Sequence, residues 1–178
     1  MARLEAPIWK RMKRLILFRH GKTERHALSG EDFDRRLTVR GTEDAHLMGK
    51  ALAEAGFSPD LVLVSAAARA QETWGSAKAA FPNVAFEVRP ELYNSDPRDL
   101  MRIARKAQGE AVMIVAHNPG LHALAVALVE ASADDALTDT VGEGFPTGAM
   151  AVFDFDGDAV TARGVFFPRD HGGGSAHD

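Results

Sequence analysis

Three uninterrupted apolar runs, each cut off by polar or charged residues, constrain this chain more than any other feature. Leu15-Ile16-Leu17-Phe18 stops at Arg19-His20-Gly21, Leu61-Val62-Leu63-Val64 stops at Ser65, and Ala111-Val112-Met113-Ile114-Val115-Ala116 stops at His117. A short run without polar alternation predicts a strand covered on both faces, so the sheet needs a layer on each side. Helical patterns between the runs supply those layers. Ala45, Met48, Leu52 and Ala55 recur at steps of three and four after Gly41, with Gly56 as a C-terminal stop. Further helices are predicted over residues 67–81, from near Pro97, and over about 120–131. Met150 to Phe155 and Ala159 to Phe167 read as strands joined by the Asp156-Gly157-Asp158 turn, which predicts a hairpin. The expected fold class is therefore α/β: a three-layer α/β/α single domain with a mostly parallel mixed sheet and an antiparallel C-terminal hairpin edge.

Composition narrows the function. Among 178 residues, 21 Lys and Arg stand against 25 Asp and Glu, a formal charge of −4, which argues against a broad nucleic-acid groove. The chain contains no cysteine, which rules out disulfides, thiolate metal sites and a cysteine nucleophile and fits a reducing compartment, with the cytoplasm as the expected location. The first residues carry several charges and only short apolar stretches, so neither a signal peptide nor a membrane span is expected there. The expected division is an N-terminal extension at 1–12, a domain at 13–168 and a mobile Gly- and Ser-containing tail at 169–178.

In an open α/β sheet, ligands bind beyond the carboxyl ends of the strands. There the three runs deliver Arg19, His20 and Lys22, then Ser65 with Arg69 on the first turn of a helix, then His117-Asn118-Pro119-Gly120 opening another helix. Two arginines, a lysine and two histidines around one crevice suit a dianionic phosphoryl group. Phosphoryl transfer needs donors that balance three equatorial oxygens, and the forked guanidinium does this well. One imidazole could attack phosphorus if a backbone carbonyl held its other ring nitrogen as a donor, and a second could donate to a nonbridging oxygen. His20 is the better nucleophile, because Gly21 allows a sharp backbone turn. Lys22 lines the pocket mouth or is a solvated loop charge. His26, His46, His122, His171 and His177 show no zinc-site spacing, and Gly142-x-Gly144-x3-Gly148 reads as a turn rather than a phosphate loop. Residues 25–34 and 134–145 are the expected rims.

These motifs resemble the histidine phosphatase (phosphoglycerate-mutase-like) superfamily: Arg19-His20-Gly21 behind a strand, Ser65-x3-Arg69-Ala70-x2-Thr73, and a late His117 behind a strand. Arg35-Arg36-Leu37-Thr38-x2-Gly41, Asp60 to Ser65, Val115 to Gly120 and Phe145-Pro146-Thr147-Gly148-Ala149 are similar to its short bacterial branch, which includes the SixA-type phosphohistidine phosphatases. The resemblance covers roughly Lys13 to Pro168. It implies that His20 becomes phosphorylated, that Arg19, Arg69 and His117 bind the phosphoryl group, and that Arg35 is a further substrate arginine. Lys22 and Asn118 are the remaining candidate substrate contacts. No metal and no cofactor are implied.

One departure bears on the substrate. Phosphomonoesterase and mutase members usually carry a glutamate two residues beyond a leucine, to protonate the leaving alkoxide. Here Pro90-Glu91-Leu92-Tyr93-Asn94 puts Asn94 at that position and Glu91 on the other side of the leucine. Without an acid, a leaving group that departs unaided is favoured, such as the imidazole of phosphohistidine. The expected function is a metal-independent phosphatase acting through a covalent phosphohistidine, with a phosphorylated protein or a small phosphorylated compound as partner and neither nucleic acid nor membrane. The alternatives are a general phosphomonoesterase, a mutase-like enzyme, or a non-catalytic phosphate-binding module.

Overall fold

The computed structural model describes residues 12–174. Residues 1–11 of the expected N-terminal extension and 175–178 of the expected tail lie outside the described residues. The three apolar runs form β1 (Arg14–Arg19), β2 (Leu61–Ser65) and β4 (Ala111–Ala116). With β3 (Ala85–Arg89), β5 (Met150–Asp156) and β6 (Ala159–Phe166) they make one sheet in the order β3-β2-β4-β1-β5-β6. The pairs β1/β4, β2/β4 and β2/β3 are parallel, and β1/β5 and β5/β6 are antiparallel. The sheet is thus mixed, with the expected hairpin at one edge.

Alternation along each strand builds the two outer layers. Leu15, Leu17, Leu63, Ile114 and Phe153 face one cluster with α3 (Pro97–Lys106), α4 (Gly120–Ala131) and α5 (Asp135–Glu143). Ile16, Phe18, Val62, Val64 and Met113 face the other, with Met48 and Leu52 of α1 (Val39–Glu54) and Trp74 of α2 (Ala68–Ala77). Both clusters are closed to water, which is why the central strands show no polar alternation.

Two elements escaped the sequence reading. β3 was not among the predicted strands because it is an edge strand whose residues 85–88 are exposed, so it has no apolar run. α5 forms within the segment read as a rim; Val141 is its one buried residue, and Asp134 caps it by accepting from the Leu137 N–H at 3.0 Å. The helix predicted over 67–81 ends in a short 3-10 turn at Lys78–Ala80. Pro168–His171 forms another such turn, and Gly174 donates its N–H to buried Asp44 at 3.0 Å.

Candidate active site

The sheet order places the carboxyl ends of β2, β4 and β1 side by side. Ser65, His117 and the Arg19-His20 pair therefore emerge from adjacent strands, while Arg69 follows on the first turn of α2. His20 and His117 come together with ring centroids 5.2 Å apart. Both are buried, as is Arg69.

The loop after β1 is held against the start of α1. Thr38 caps α1 by accepting from the Gly41 N–H at 3.0 Å, and its own N–H donates to the Lys22 carbonyl at 2.9 Å. A side chain on Gly21 would start 2.5 Å from the Gly41 carbonyl oxygen, and one on Gly41 would start 2.1 Å from that of Lys22. Gly21 is thus required for close approach of two backbones rather than for the sharp turn read from the sequence; its φ is not in the left-handed region. Its N–H donates to Thr73 Oγ1 at 3.0 Å, and that hydroxyl donates to the Arg69 carbonyl at 2.7 Å. Thr73 therefore ties the His20 loop to the helix that carries Arg69.

His20 Nδ1 donates to the Gly21 carbonyl at 2.8 Å, which leaves Nε2 with a free lone pair. Burial lowers the pKa of His20 to about 3, aided by His117, Arg19 and Arg69 and partly opposed by the Gly21 carbonyl. His20 is accordingly neutral at neutral pH, as a nucleophile must be. His117 Nε2 lies 2.7 Å from Ser65 Oγ, and its Nδ1 is buried without a partner. Ser65 Oγ also accepts from the Ala67 N–H at 3.4 Å, and a hydroxyl hydrogen donated to Nε2 would put the proton of neutral His117 on Nδ1. Burial, then Arg69, lowers the pKa of His117 to about 4, with Asp32 acting in the opposite direction.

Arg19 NH1 donates to the Phe145 carbonyl at 3.0 Å, whereas its Nε is buried with no partner. Burial first and Arg69 second lower its pKa from the usual arginine value. A buried polar atom without a partner is costly, and two that have none among the described residues, Arg19 Nε and His117 Nδ1, belong to neighbouring groups at the sheet's carboxyl edge.

The other predicted residues stand differently. Arg69 directs NH1 to the Asp32 carbonyl at 2.8 Å and NH2 to its carboxylate at 3.0 Å. Arg35 donates to Glu24 O at 2.9 Å, Asp32 Oδ1 at 3.0 Å and Thr23 Oγ1 at 2.6 Å, so it reaches the crevice through Asp32. Asn118 commits both ends of its amide to backbone: Nδ2 to Phe145 O at 2.8 Å and Oδ1 to the His122 N–H at 3.2 Å. Lys22 is half-buried and contributes its carbonyl to the Thr38 cap. Glu91 turns to Arg89, with Oε1 2.6 Å from Nε. Its own backbone amide and then Arg89 hold its pKa below the usual carboxylate range.

Two residues were missed as site components. Tyr93 lies edge-on to His117 at 5.6 Å and donates its hydroxyl to Asp32 at 2.6 Å. The Tyr93 hydroxyl first, then Arg35 and Arg69, hold Asp32 well below the usual carboxylate range, and Asp32 in turn raises the pKa of Tyr93. Asp32 stands three residues before Arg35, a spacing that could have flagged the pair.

The sequence and fold are similar to those of known proteins. The sequence profile of the histidine phosphatase superfamily (branch 1) matches residues 15–99. An uncharacterized protein of Mycobacterium leprae is 32% identical over 128 residues, covering 71% of this chain and 78% of its own length. A crystal structure assigned as the phosphohistidine phosphatase SixA of Agrobacterium tumefaciens superposes with a TM-score of 0.77 at 30% identity, covering 88% of this chain and 99% of that one. A protein of Nakamurella multipartitia with the same assignment has the same fold, with a TM-score of 0.75 at 24% identity over 88% of this chain and 96% of its own.

Proposed function

Because this chain belongs to the histidine phosphatase superfamily and is a phosphatase of the hydrolase class, we propose that it transfers the phosphoryl group of its substrate to His20 and then to water. Nε2 of His20 attacks phosphorus as the bond to the leaving group breaks, and the bonding pair departs with that group. Water then attacks the phosphohistidine, and the phosphorus–nitrogen pair returns to Nε2. Arg19, Arg69 and the Nδ1–H of His117 balance charge on the equatorial oxygens, the role a metal plays in other phosphoryl-transfer enzymes, so the proposal is metal-independent.

The arrangement that carries this reading is the His20 Nδ1–Gly21 contact beside the unpartnered donors Arg19 Nε and His117 Nδ1. The leaving group receives no proton in this scheme. Glu91 is paired with Arg89, Asp32 is held ionised, and the Tyr93 pKa is raised. An alkoxide therefore departs poorly, while an imidazole with its remote nitrogen protonated departs as a neutral base. Phosphohistidine, in a protein or as a small phosphorylated compound, is the proposed substrate class. A cysteine-free chain fits a reducing compartment, and the cytoplasm is the proposed location.

His20→Ala should abolish hydrolysis of p-nitrophenyl phosphate and phosphohistidine, by about 10⁴-fold or more, while leaving the fold intact by circular dichroism. Wild-type turnover should persist in excess chelator, and acid-labile label should be trapped on His20 after quenching. Undiminished hydrolysis by the variant removes the mechanism. Phosphate binding by the wild type with no hydrolysis of either compound would identify a binding module instead.

A further inference from the structure

The 3-10 turn Asp32–Asp34, in the loop between β1 and α1, buries none of its residues. Such a segment lacks the apolar packing that fixes a backbone in place. Contacts from outside the loop supply the restraint: Arg69 of α2 binds Asp32, and Tyr93, which follows the turn Pro90–Leu92 after β3, meets both Asp32 and Phe33. The Tyr93 ring lies edge-on to Phe33 with centroids 5.0 Å apart, edge-on to His117 at 5.6 Å, and 5.7 Å from the Arg69 guanidinium carbon. One side chain thus reaches the loop, the buried arginine and the second histidine.

Its hydroxyl makes the more specific contact. Tyr93 donates to Asp32 Oδ2 at 2.6 Å, and the same oxygen accepts from Arg69 NH2 at 3.0 Å while the Asp32 carbonyl accepts from NH1 at 2.8 Å. A guanidinium carries five N–H donors, so two go to Asp32 and three are left for a phosphoryl group. Asp32 therefore orients Arg69 without exhausting it. The Tyr93 hydroxyl is also the first cause that holds Asp32 below the usual carboxylate range, so the counter-charge of the buried arginine persists at neutral pH.

Resting on the reading of Arg69 and His117 as phosphoryl ligands, we propose that Tyr93 is a positioning residue for phosphoryl transfer. Its hydroxyl fixes Asp32, Asp32 fixes the direction of the Arg69 guanidinium, and its ring keeps the 32–34 turn and His117 in place beside them. In this role Tyr93 transfers no proton. Attraction between an anion and an arginine varies slowly with distance and tolerates a loose side chain. Stabilising charge on the equatorial oxygens of the transition state demands donors already aimed at them. Loss of the hydroxyl should therefore lower kcat and spare affinity.

The test uses p-nitrophenyl phosphate with Tyr93→Phe, which keeps the ring and loses the hydroxyl, and Tyr93→Leu, which loses both. Tyr93→Phe should lower kcat about tenfold and change KM, and the inhibition constant of inorganic phosphate, by less than about threefold. In Tyr93→Leu kcat should fall about 10²-fold, with Tyr93→Phe between it and wild type. Because the hydroxyl acts through Asp32, Tyr93→Phe combined with Asp32→Ala should lose no more kcat than Asp32→Ala alone. Wild-type kcat in Tyr93→Phe, a loss confined to KM, or losses that multiply in the double variant overturn the proposal. Inorganic phosphate bound more than about threefold more tightly by Tyr93→Phe overturns it too, since Asp32 would then be withholding Arg69 from the anion. Tyr93→Phe and the double variant decide the matter if Tyr93→Leu does not fold. Failure of the nucleophile reading is separate: it shows as unchanged turnover in His20→Ala, whatever Tyr93 does.

Discussion

Arg19 and Arg35 both come from segments flanking the loop after β1, yet their guanidinium groups meet opposite conditions. Arg35 spends Nε, NH1 and NH2 on Glu24, Asp32 and Thr23, partly in water. Arg19 is buried deeper, gives NH1 to the Phe145 carbonyl and keeps an unpartnered Nε. The histidines divide the same way: His117 Nδ1 has no partner, whereas His122 Nε2 donates to the Val141 carbonyl at 2.7 Å and pins α5 to α4. Leaving a buried donor unmet costs roughly 1–3 kcal/mol, a cost that a ligand recovers when it arrives. Unmet hydrogen-bonding capacity separates Arg19 from Arg35 and His117 from His122, while Arg69, also at the floor, gives both terminal nitrogens to Asp32.

Arginine-to-alanine changes at the two positions test this contrast most directly. Arg19→Ala should lower kcat by about 10²- to 10³-fold, because it removes a donor preorganised for the transition state. Equal losses at Arg19 and Arg35 would break the distinction. Next in size is a stability effect confined to the floor. His20 and His117 have pKa values of about 3 and about 4, well below the ordinary 6.5, so below pH 6.5 the unfolded chain binds more protons than the folded one. Stability should therefore fall as pH drops from about 6.5 toward 4, with a slope approaching ~1.4 kcal/mol per pH unit for each histidine. Urea midpoints measured across that range check it, and His117→Asn should flatten the slope; a flat wild-type profile refutes the burial argument.

Ser65→Ala should cost about tenfold in kcat, since the hydroxyl sets which nitrogen of His117 carries the proton without touching the phosphoryl group itself. Imidazole ¹⁵N shifts should show the tautomer change; a loss of activity with unaltered shifts would mean that Ser65 only packs. The smallest effect is expected at the rim, where Arg35→Ala should change kcat less than about threefold and act mainly on KM, as exposed ion pairs contribute little. A large kcat loss there would move Arg35 to the floor.

Legibility in the sequence followed burial. β1, β2 and β4 were readable because strands covered on both faces must be apolar throughout, and the polar residues at their ends then stand out. β3 was not, since an edge strand has no such requirement. Thr73 could be seen within a motif but not given a task, because its partners are the N–H of Gly21 and the carbonyl of Arg69. The Phe145 carbonyl, which orients both Arg19 and Asn118, has no residue-type signature at all. Asn118 stood as a candidate substrate contact; the fold has committed both ends of its amide to backbone.

Local pattern alone determined the strands and helices of the core, their alternation, and the identities of the groups waiting at the strand ends, since these depend on periodicities of two and 3.6 residues that any short window displays. Which strands lie side by side, and hence that positions 20, 69 and 117 meet at one end of the sheet, was decided only by nonlocal pairing in the order β2-β4-β1. The same is true of the depressed histidine pKa values and of Asp32 bridging two arginines. Each depends on how much water and which charges surround a group, and those are supplied by segments tens of residues away.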